Sequence, residues 1–456
     1  MSNASDFTPD PARGQEVYAL DRAHVFHSWS AQKLISPLPI AAAEGTYFWD
    51  YEGKRYLDFS SQLVNTNIGH QHPKVVAAIQ EQAARLTTIA PQHANDARAE
   101  AARLITSLAP ERHSKVFFTN GGADANENAV RMARLHTGRH KVLSTYRSYH
   151  GNTATAVTLT GDPRRWPNEN GIAGIVHFFG PYPYRSPFWS ENEQQEAERA
   201  LEHLEQVIMF EGPQTIAAII LETVVGTAGV LIPPGDYLAG VRELCDKHGI
   251  VYIADEVMAG FGRTGDWFAF EHFGVVPDLI TFAKGVNSGY VPVGGVIISD
   301  DIAATFDERV FPGGLTYSGH PLASASIIAT LTAMQEEGIV ENARRIGEDV
   351  LGPGLRELAE RHPVIGEVRG LGVFWALDLV RNRATREMLV PYNAAGPANQ
   401  PMAELVGACK ERGLMPFVNY NRLHVVPPCT VSDAEAKEGL AILDDALSVL
   451  APYYQD

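Results

Sequence analysis

Short apolar runs separated by helical stretches dominate the middle of the chain. Six of these runs lack the polar alternation of a strand with one solvated face, and helical spacing separates several of them. Strands that are apolar on both faces and alternate with helices are typical of a mostly parallel sheet covered on both sides, so the pattern predicts an α/β fold. The predicted strands are residues 115–120, 142–145, 217–222, 250–254, 279–282 and 295–298.

The two ends of the chain follow other patterns. Residues 45–60 alternate apolar and polar positions around a Glu-Gly turn, which predicts a hairpin. After Pro321 come two long helical segments, 322–337 and 339–362, and then a strand-like run at 373–380. We therefore expect three parts: an N-terminal segment, 1–60, that packs against the small domain and the site entrance, a large domain, 61–321, and a small α+β domain, 322–456.

Four predicted strands end in, or run directly into, a polar residue: Asn120, Glu222, Asp255 and Lys284. Ligands of such sheets bind at the carboxyl ends of the strands, so these residues are candidates for one site. A lysine is rarely buried. Lys284 therefore either extends to solvent or is desolvated for chemistry, and a desolvated lysine is the better nucleophile. The glycines that follow it, Gly285 and Gly289, predict a close approach of the backbone to a bound group.

Lys284 and Asp255 together point to a cofactor. Alone, Asp255 would be read as a turn cap or an ion-pair partner at the rim. An amine beside a carboxylate that keeps a pyridine nitrogen protonated is what pyridoxal phosphate (PLP) requires. The turn Gly121-Gly122-Ala123 leads from a strand into a helix, whose first amides favour a phosphate. A lone Gly-Gly turn would mean only a tight connection, but here it stands with the other strand ends.

Two further residues fit the faces of a pyridine ring. Tyr149 follows a predicted strand and could stack on the ring, although a core tyrosine is the alternative. Val257 lies two residues after Asp255, on the same side of an extended chain, and could cover the other face.

Composition narrows the partners and the compartment. The net charge is −17, which disfavours nucleic acid and anionic membranes. The three cysteines are far apart and form no CxxC pair, and neither a signal-peptide pattern nor a long apolar span is visible, so we expect a cytoplasmic protein. His70, His72 and His93 form no recognised metal pattern, and we expect no metal.

The motifs, taken in order, resemble those of the class III (omega) aminotransferases, which are PLP-dependent enzymes of fold type I. They are "YHG", "ADEVMAGFGRTG", "FAKG" and "TYSGHP", and the resemblance extends from "YFWDYEGKRYLDF" to "RLHVVPP". It implies a large PLP-binding domain with a mostly parallel seven-stranded sheet flanked by helices, and a smaller α+β domain.

The resemblance implies a role for each matching residue. Lys284 would hold the cofactor covalently and move the substrate's proton, while Asp255 would pair with the pyridine nitrogen. Thr316 would reach the phosphate of the neighbouring subunit, which implies a homodimer, or a dimer of dimers, with its sites at the interface. The other implied cofactor contacts are Gly121, Gly122, Ala123, Tyr149, His150, Glu222 and Val257.

Three departures from the family pattern concern the phosphate, the ring and the substrate. Gly-Gly-Ala replaces Ser-Gly-Ser/Thr in the phosphate loop and leaves only backbone amides. Met258 stands where many members have a glutamine that touches the ring hydroxyl. Pro416 and Phe417 stand near the place of an arginine that binds the acceptor's carboxylate. Arg422 is close to that place but shifted, and it is either a replacement for this arginine or a surface residue.

The expected reaction moves an amino group from a primary amine or ω-amino acid to a keto acid, with pyruvate expected before 2-oxoglutarate, in a ping-pong cycle. Val64 stands where some amine transaminases have a tryptophan, which predicts a roomier substrate pocket, with Tyr149 and Arg422 as further substrate contacts. Donors of the β-alanine, taurine, longer ω-amino acid and arylalkylamine types stay open. A PLP-dependent decarboxylase or aminomutase is the alternative, whereas the presence of Lys284 and Asp255 disfavours a non-catalytic homologue.

Overall fold

The computed structural model describes residues 7–169 and 171–455. Within these ranges the strands are β1 Ile40–Glu44, β2 Tyr47–Asp50, β3 Arg55–Asp58, β4 Lys115–Thr119, β5 Lys141–Thr145, β6 Ile175–Phe178, β7 Ile216–Glu222, β8 Val251–Asp255, β9 Leu279–Phe282, β10 Gly294–Ile298, β11 Ile365–Leu371, β12 Phe374–Asn382, β13 Glu387–Met388, β14 Leu414–Met415, β15 Phe417–Asn419 and β16 Arg422–Val425.

The helices surround these strands, and a π-helical turn, Gly347–Leu351, joins two of them into one continuous stretch. The described α-helices are α1 Pro11–His24, α2 Ser61–Val64, α3 Pro73–Arg85, α4 Asp96–Leu108, α5 Gly122–Thr137, α6 Ala154–Leu159, α7 Glu193–Glu211, α8 Tyr237–His248, α9 Asp300–Ala304, α10 Pro321–Glu336, α11 Ile339–Ile346, α12 Gly352–Arg361, α13 Gln400–Glu411 and α14 Asp433–Leu447.

The central sheet has seven strands in the order β4-β10-β9-β8-β7-β5-β6. The strands from β9 to β6 are parallel, and β10 runs antiparallel to both of its neighbours. Every residue of β7 and β8 is buried, which explains why their sequences are apolar without alternation. The predicted α/β fold is confirmed. The edge strand β6 was not predicted from the pattern of apolar positions.

Two smaller sheets contain the remaining strands. The order β1-β2-β3-β14 brings the predicted N-terminal hairpin against a strand from the C-terminal part, with β14 parallel to β3. The order β11-β12-β16-β15, with β13 beside β12, forms the sheet of the C-terminal part. A single apolar cluster that includes Leu57, Phe59, Leu377 and Leu443 joins these sheets to their helices.

The carboxyl ends of β4, β7, β8 and β9 lie at the same edge of the central sheet, because these four strands share one direction. The polar strand ends predicted from the sequence are therefore brought together there. None of the helices in the described ranges has the length and apolar character needed to cross a membrane.

Candidate active site

A cavity of about 630 Å³ lies at this edge of the sheet. It collects nine of the predicted cofactor residues: Gly121, Gly122, Ala123, Tyr149, His150, Glu222, Asp255, Val257 and Lys284. Chain segments that are distant in sequence thus meet around one space. No group of three or more His, Cys, Asp or Glu side chains in the described part of the chain is arranged to hold a metal ion.

Lys284 follows β9 and is partly buried in the cavity wall. Its φ of 47° lies in the left-handed region, which is strained for a residue with a Cβ. Burial lowers the pKa of the Lys284 ammonium, and the carboxylates of Asp255 and Glu222 oppose that effect. A larger fraction of the side chain is therefore the neutral amine, which is the nucleophilic form.

The glycines after Lys284 allow a close contact within the protein. A Cβ on Gly285 would lie 2.3 Å from Nδ2 of Asn67, and one on Gly289 would lie 2.4 Å from Nδ2 of Asn65. Both glycines thus allow the 65–67 segment to approach the lysine turn. Gly289 also lines the cavity, and the approach of this backbone to a bound group stays a prediction.

Asp255 ends β8 with its side chain only 3 % exposed. Its Oδ2 is 2.7 Å from Nδ1 of His150 and accepts a hydrogen bond of 2.8 Å from Nδ2 of Asn126. Its Oδ1 accepts a bond of 3.1 Å from the backbone amide of Val257. None of these hydrogen-bonding groups is a lysine or an arginine. The bonds therefore stabilise the negative charge of the carboxylate without cancelling it.

The first turn of α5 has the features of an anion-binding site. Its N-cap is Gly121, no side chain caps it, and its amides line the cavity from Gly121 to Ala123. A Cβ on Gly122 would lie 2.8 Å from Cγ1 of Val257, so only glycine permits this contact between α5 and the turn after β8. Uncapped amides at the start of a 16-residue helix favour an anion such as a phosphate.

Tyr149 is fixed from two sides. Its backbone amide donates to Oε1 of Glu222 over 2.8 Å, while Oε2 of the same carboxylate accepts from the amide of Gly226 over 2.9 Å. The guanidinium carbon of Arg164 lies 3.6 Å from the centre of the tyrosine ring. Glu222 therefore anchors the Tyr149 backbone, and Arg164 covers one face of its ring.

Arg164 is a cavity residue that the sequence analysis missed. Its Nε donates to Oδ1 and Oδ2 of Asp162 over 3.1 and 3.0 Å, and its Nη2 donates to Oγ1 of Thr227 over 3.2 Å. Its side chain is 27 % exposed. Among the lysine and arginine side chains of the described chain, only Arg164 and Lys284 line the cavity. No motif or strand end marks Arg164, since it lies in the 3₁₀ helix Pro163–Asn168.

Val64 does not line the cavity as expected. It is 1 % exposed and belongs to an apolar cluster with Val224 and Val230, whereas its neighbours Leu63 and Asn65 reach the cavity. The backbone of α2 is distorted, because Gln62 and Leu63 leave helical geometry, and this turns Val64 inward. The expectation that Val64 lines the substrate pocket is therefore wrong, and the roomier pocket inferred from it loses its basis.

Arg422 and Thr316 also lie outside the cavity. Arg422 begins β16, its side chain is 5 % exposed, and its Nε is 3.9 Å from Oδ2 of Asp378, so it is neither a surface arginine nor a cavity residue. Phe417, which stands near the family's arginine position, does line the cavity, as does Met258. Thr316 is exposed and away from the cavity of its own chain.

The residues present fit PLP. The cavity offers a desolvated amine, a buried carboxylate, uncapped helix amides for a phosphate, and a fixed tyrosine ring. The family model described as Aminotransferase class-III matches residues 29–447. The chain belongs to the class III aminotransferases. It is a PLP-dependent aminotransferase of fold type I, as the motifs predicted.

Relatives and solved structures agree. The chain is 36 % identical over 427 residues to the 5-aminovalerate aminotransferase DavT of Pseudomonas aeruginosa, covering 91 % of this chain and 95 % of the relative. It is 37 % identical over 391 residues to the putrescine–pyruvate aminotransferase of the same organism, covering 82 % and 85 %. The taurine:2-oxoglutarate aminotransferase of Bifidobacterium kashiwanohense, solved with PLP and glutamate, is 41 % identical with a TM-score of 0.92 and coverage of 96 % and 98 %.

Proposed function

We propose that this aminotransferase takes its amino group from an ω-amino acid of the β-alanine, taurine or 5-aminovalerate type and passes it to a keto acid, with pyruvate as the expected acceptor. Arg164 is the observation that carries this proposal. Its guanidinium lines the cavity and has carboxylate, hydroxyl and aromatic partners that hold it in place. A fixed guanidinium is suited to bind the distal acid group of such a donor.

The reaction rests on groups of this chain around the cofactor. PLP, when bound, supplies an electron sink for the charge that develops at the substrate carbon bearing the amino group. Lys284 would hold the cofactor through its amine and would then move the proton at that substrate carbon. Asp255 would keep the pyridine nitrogen protonated, the Gly121–Ala123 amides would bind the phosphate, and Tyr149, which Arg164 contacts, would stack on the ring.

Arg422 is excluded from substrate binding in this proposal. It is buried outside the cavity, and Phe417 lines the wall near the position where the family's arginine is expected. In a ping-pong cycle the donor and the acceptor occupy one cavity in turn. Arg164 is therefore assigned to the distal acid group of the donor, because it is the cationic side chain of the described lining that is not committed to the cofactor.

The test is a panel of ω-amino acids, diamines and arylalkylamines assayed against pyruvate and 2-oxoglutarate, with Arg164→Met beside Arg422→Met. The wild type should form alanine from pyruvate and an ω-amino acid. Arg164→Met should raise the KM of acidic donors by roughly 10–100-fold, the value of a charge-assisted bond, and change that of an arylalkylamine little. Arg422→Met should leave both KM values within a factor of about two.

Other outcomes contradict the proposal in defined ways. Release of carbon dioxide without alanine would assign the chain to decarboxylation instead. An unchanged KM for acidic donors in Arg164→Met would remove the substrate assignment. The absorbance band of the lysine-bound cofactor should be present in the wild type and absent in Lys284→Ala, and its absence in the wild type saturated with PLP would overturn the residue roles.

We further propose a homodimer in which Thr316 of one subunit reaches the phosphate site of the other. The exposure of Thr316 away from its own cavity supports this.

The pairing of β14 with β3 supports the proposed division of the chain into residues 1–60, 61–321 and 322–456, with the first part packed on the third. Three buried, unpaired cysteines support a cytoplasmic protein.

The proposed role of Thr316 in the dimer is tested by Thr316→Ala. This variant should lose cofactor retention, while sedimentation should still show an intact dimer.

A further inference from the structure

The buried amide of Asn126 lies beside Asp255 and has no role in the mechanism above. Asn126 is on α5, 1 % exposed, one turn after the amides that line the anion site. Its Nδ2 donates to Oδ2 of Asp255 over 2.8 Å and to the carbonyl oxygen of His150 over 2.7 Å. Both hydrogens of the amide are therefore used, one of them on the carboxylate.

The hydrogen-bond partners of Asn126 fix which way this amide points, and the hydroxyl of Thr281 holds its oxygen. Thr281 is fully buried in β9, three residues before Lys284, and its Oγ1 donates to Oδ1 of Asn126 over 2.7 Å. A reversed amide would place its oxygen against the carboxylate of Asp255 and the carbonyl of His150, and its NH₂ group against Thr281. The network therefore admits one orientation, in which Asn126 presents a donor to Asp255.

The two oxygens of Asp255 are consequently unequal. Oδ2 is occupied by Asn126 and by Nδ1 of His150, whose Nε2 is 3.1 Å from Oγ of Ser144. Oδ1 has the amide of Val257 alone and retains acceptor capacity. Other ionisable groups also act on this region: Glu222, Glu256 and Lys284 interact electrostatically with Asp255, and Arg164 acts on Lys284.

We propose that Asn126, held in place by the hydroxyl of Thr281, is a positioning residue that fixes the carboxylate of Asp255 and turns its free oxygen toward the pyridine nitrogen of PLP. The inference rests on the role proposed above for Asp255. The network connects three elements that would contact the cofactor. Thr281 lies in β9, which precedes Lys284, Asn126 lies in α5, whose first amides would bind the phosphate, and Asp255 ends the neighbouring strand β8.

Two substitutions test the donor and the group that holds it separately. Asn126→Asp replaces the donor with an oxygen at the same place, so that two carboxylates face each other. Thr281→Val removes only the hydroxyl that holds the amide oxygen, and Thr281→Ser keeps that hydroxyl. Asn128→Asp is the matched control, because Asn128 is 5 % exposed on the same helix and its Nδ2 bonds to the carbonyl of Asp124 within that helix.

The readout is the nitrogen NMR shift of bound PLP labelled at the pyridine nitrogen, together with kcat and KM. In Asn126→Asp the signal should move at neutral pH from the protonated toward the neutral pyridine, and kcat should fall by roughly 10–100-fold with little change in KM, as for other residues that orient a ligand from behind. Thr281→Val should move the signal part of the way in the same direction, Thr281→Ser should return it, and Asn128→Asp should leave it unmoved.

A protonated signal and wild-type kcat in both Asn126→Asp and Thr281→Val would overturn the inference while leaving the role of Asp255 intact. A wild type whose bound PLP gives the neutral-pyridine signal would instead remove the proposed role of Asp255 itself. If Asn126→Asp does not fold, the valine and serine variants of Thr281 decide. A shift reversed by serine supports the inference, and no shift in the valine variant overturns it.

Discussion

Two of the buried aspartates of the described chain, Asp255 and Asp378, have opposite kinds of partners. Asp255, at the end of β8, has bonds from an asparagine amide and a backbone amide, lies against a histidine nitrogen, and lines the cavity. Asp378, in β12, has a side chain of 0 % exposure and lies outside the cavity. Its partners are Arg185 at 2.7 Å, Tyr182 at 2.9 Å, Asn421 at 2.8 Å, Arg369 at 3.4 Å and Arg422 at 3.9 Å.

The two carboxylates differ in whether their partners neutralise the negative charge. The three arginines around Asp378 neutralise its charge, so the group joins β12, β16 and the segment around residue 185 and binds nothing further. The partners of Asp255 include no arginine or lysine and leave its charge available to a cation in the cavity. A buried carboxylate is thus suited to catalysis or to structure according to the charge of its partners.

The largest effect should follow from removing the available charge. Asp255→Asn should lower kcat by roughly 10²–10³-fold, comparable with the loss of a preorganised electrostatic contact in other enzymes, because the pyridine nitrogen loses its counter-charge. Asp378→Asn is the control, and it should retain kcat within a factor of about three in the fraction that folds. Single-turnover measurement with pyruvate and an ω-amino acid checks both, and equal kcat values for Asp255→Asn and wild type would contradict the comparison.

For the free energy of unfolding, the substitution of Asp378 should have the larger effect. Asp378→Asn should lower the free energy of unfolding by about 3–5 kcal/mol at neutral pH, since it leaves buried arginines without their counter-charge. Burial alone would raise the pKa of Asp378, but Arg369, Arg185 and Arg422 outweigh it and hold the pKa below its ordinary value. In that case the unfolded chain binds the extra proton, so the stabilisation is complete above the unfolded pKa and is lost as pH falls through the folded pKa.

Urea unfolding of wild type and Asp378→Asn across an acidic pH series measures this. The difference between the two proteins should be constant above about pH 5 and shrink below it. A difference that is independent of pH down to the acid limit would show that the charge of Asp378 does not contribute.

The same contrast explains what could be predicted from the sequence. The strands that lead to Glu222, Asp255 and Lys284 were found because they are buried on both faces and because these polar residues break an apolar run. The helix α1 was missed because Gly14 is its one buried residue, so no apolar face marks it.

The partners of these residues could not be found in that way. Arg164, Asn126 and Thr281 act through side-chain contacts across 15 to 155 positions of sequence, such as the bond from Thr281 to Asn126 and the contact of Arg164 with Tyr149. An asparagine in a helix or a threonine in a strand fits the local pattern, and its function depends on which strands the fold places side by side. Arg422 shows the converse, because its closeness in sequence to the expected position did not bring it into the cavity.

The smallest effect concerns His424, which lies two residues after Arg422 in β16, near the arginines around Asp378. Its Nε2 is 3.2 Å from the carbonyl oxygen of Gly226, and it is 1 % exposed. Burial, with Arg422 and Arg369 adding to it, lowers the pKa of His424 to about 3. The unfolded chain therefore binds the proton first, and wild-type stability should fall by about 2 kcal/mol between pH 7 and pH 5 through this residue. His424→Gln keeps a donor for Gly226 and should remove that part of the pH dependence of the unfolding free energy, measured by urea unfolding. If the pH dependence is the same in the variant and the wild type, His424 carries its proton in the folded state, and the arginines beside it do not exclude a further positive charge.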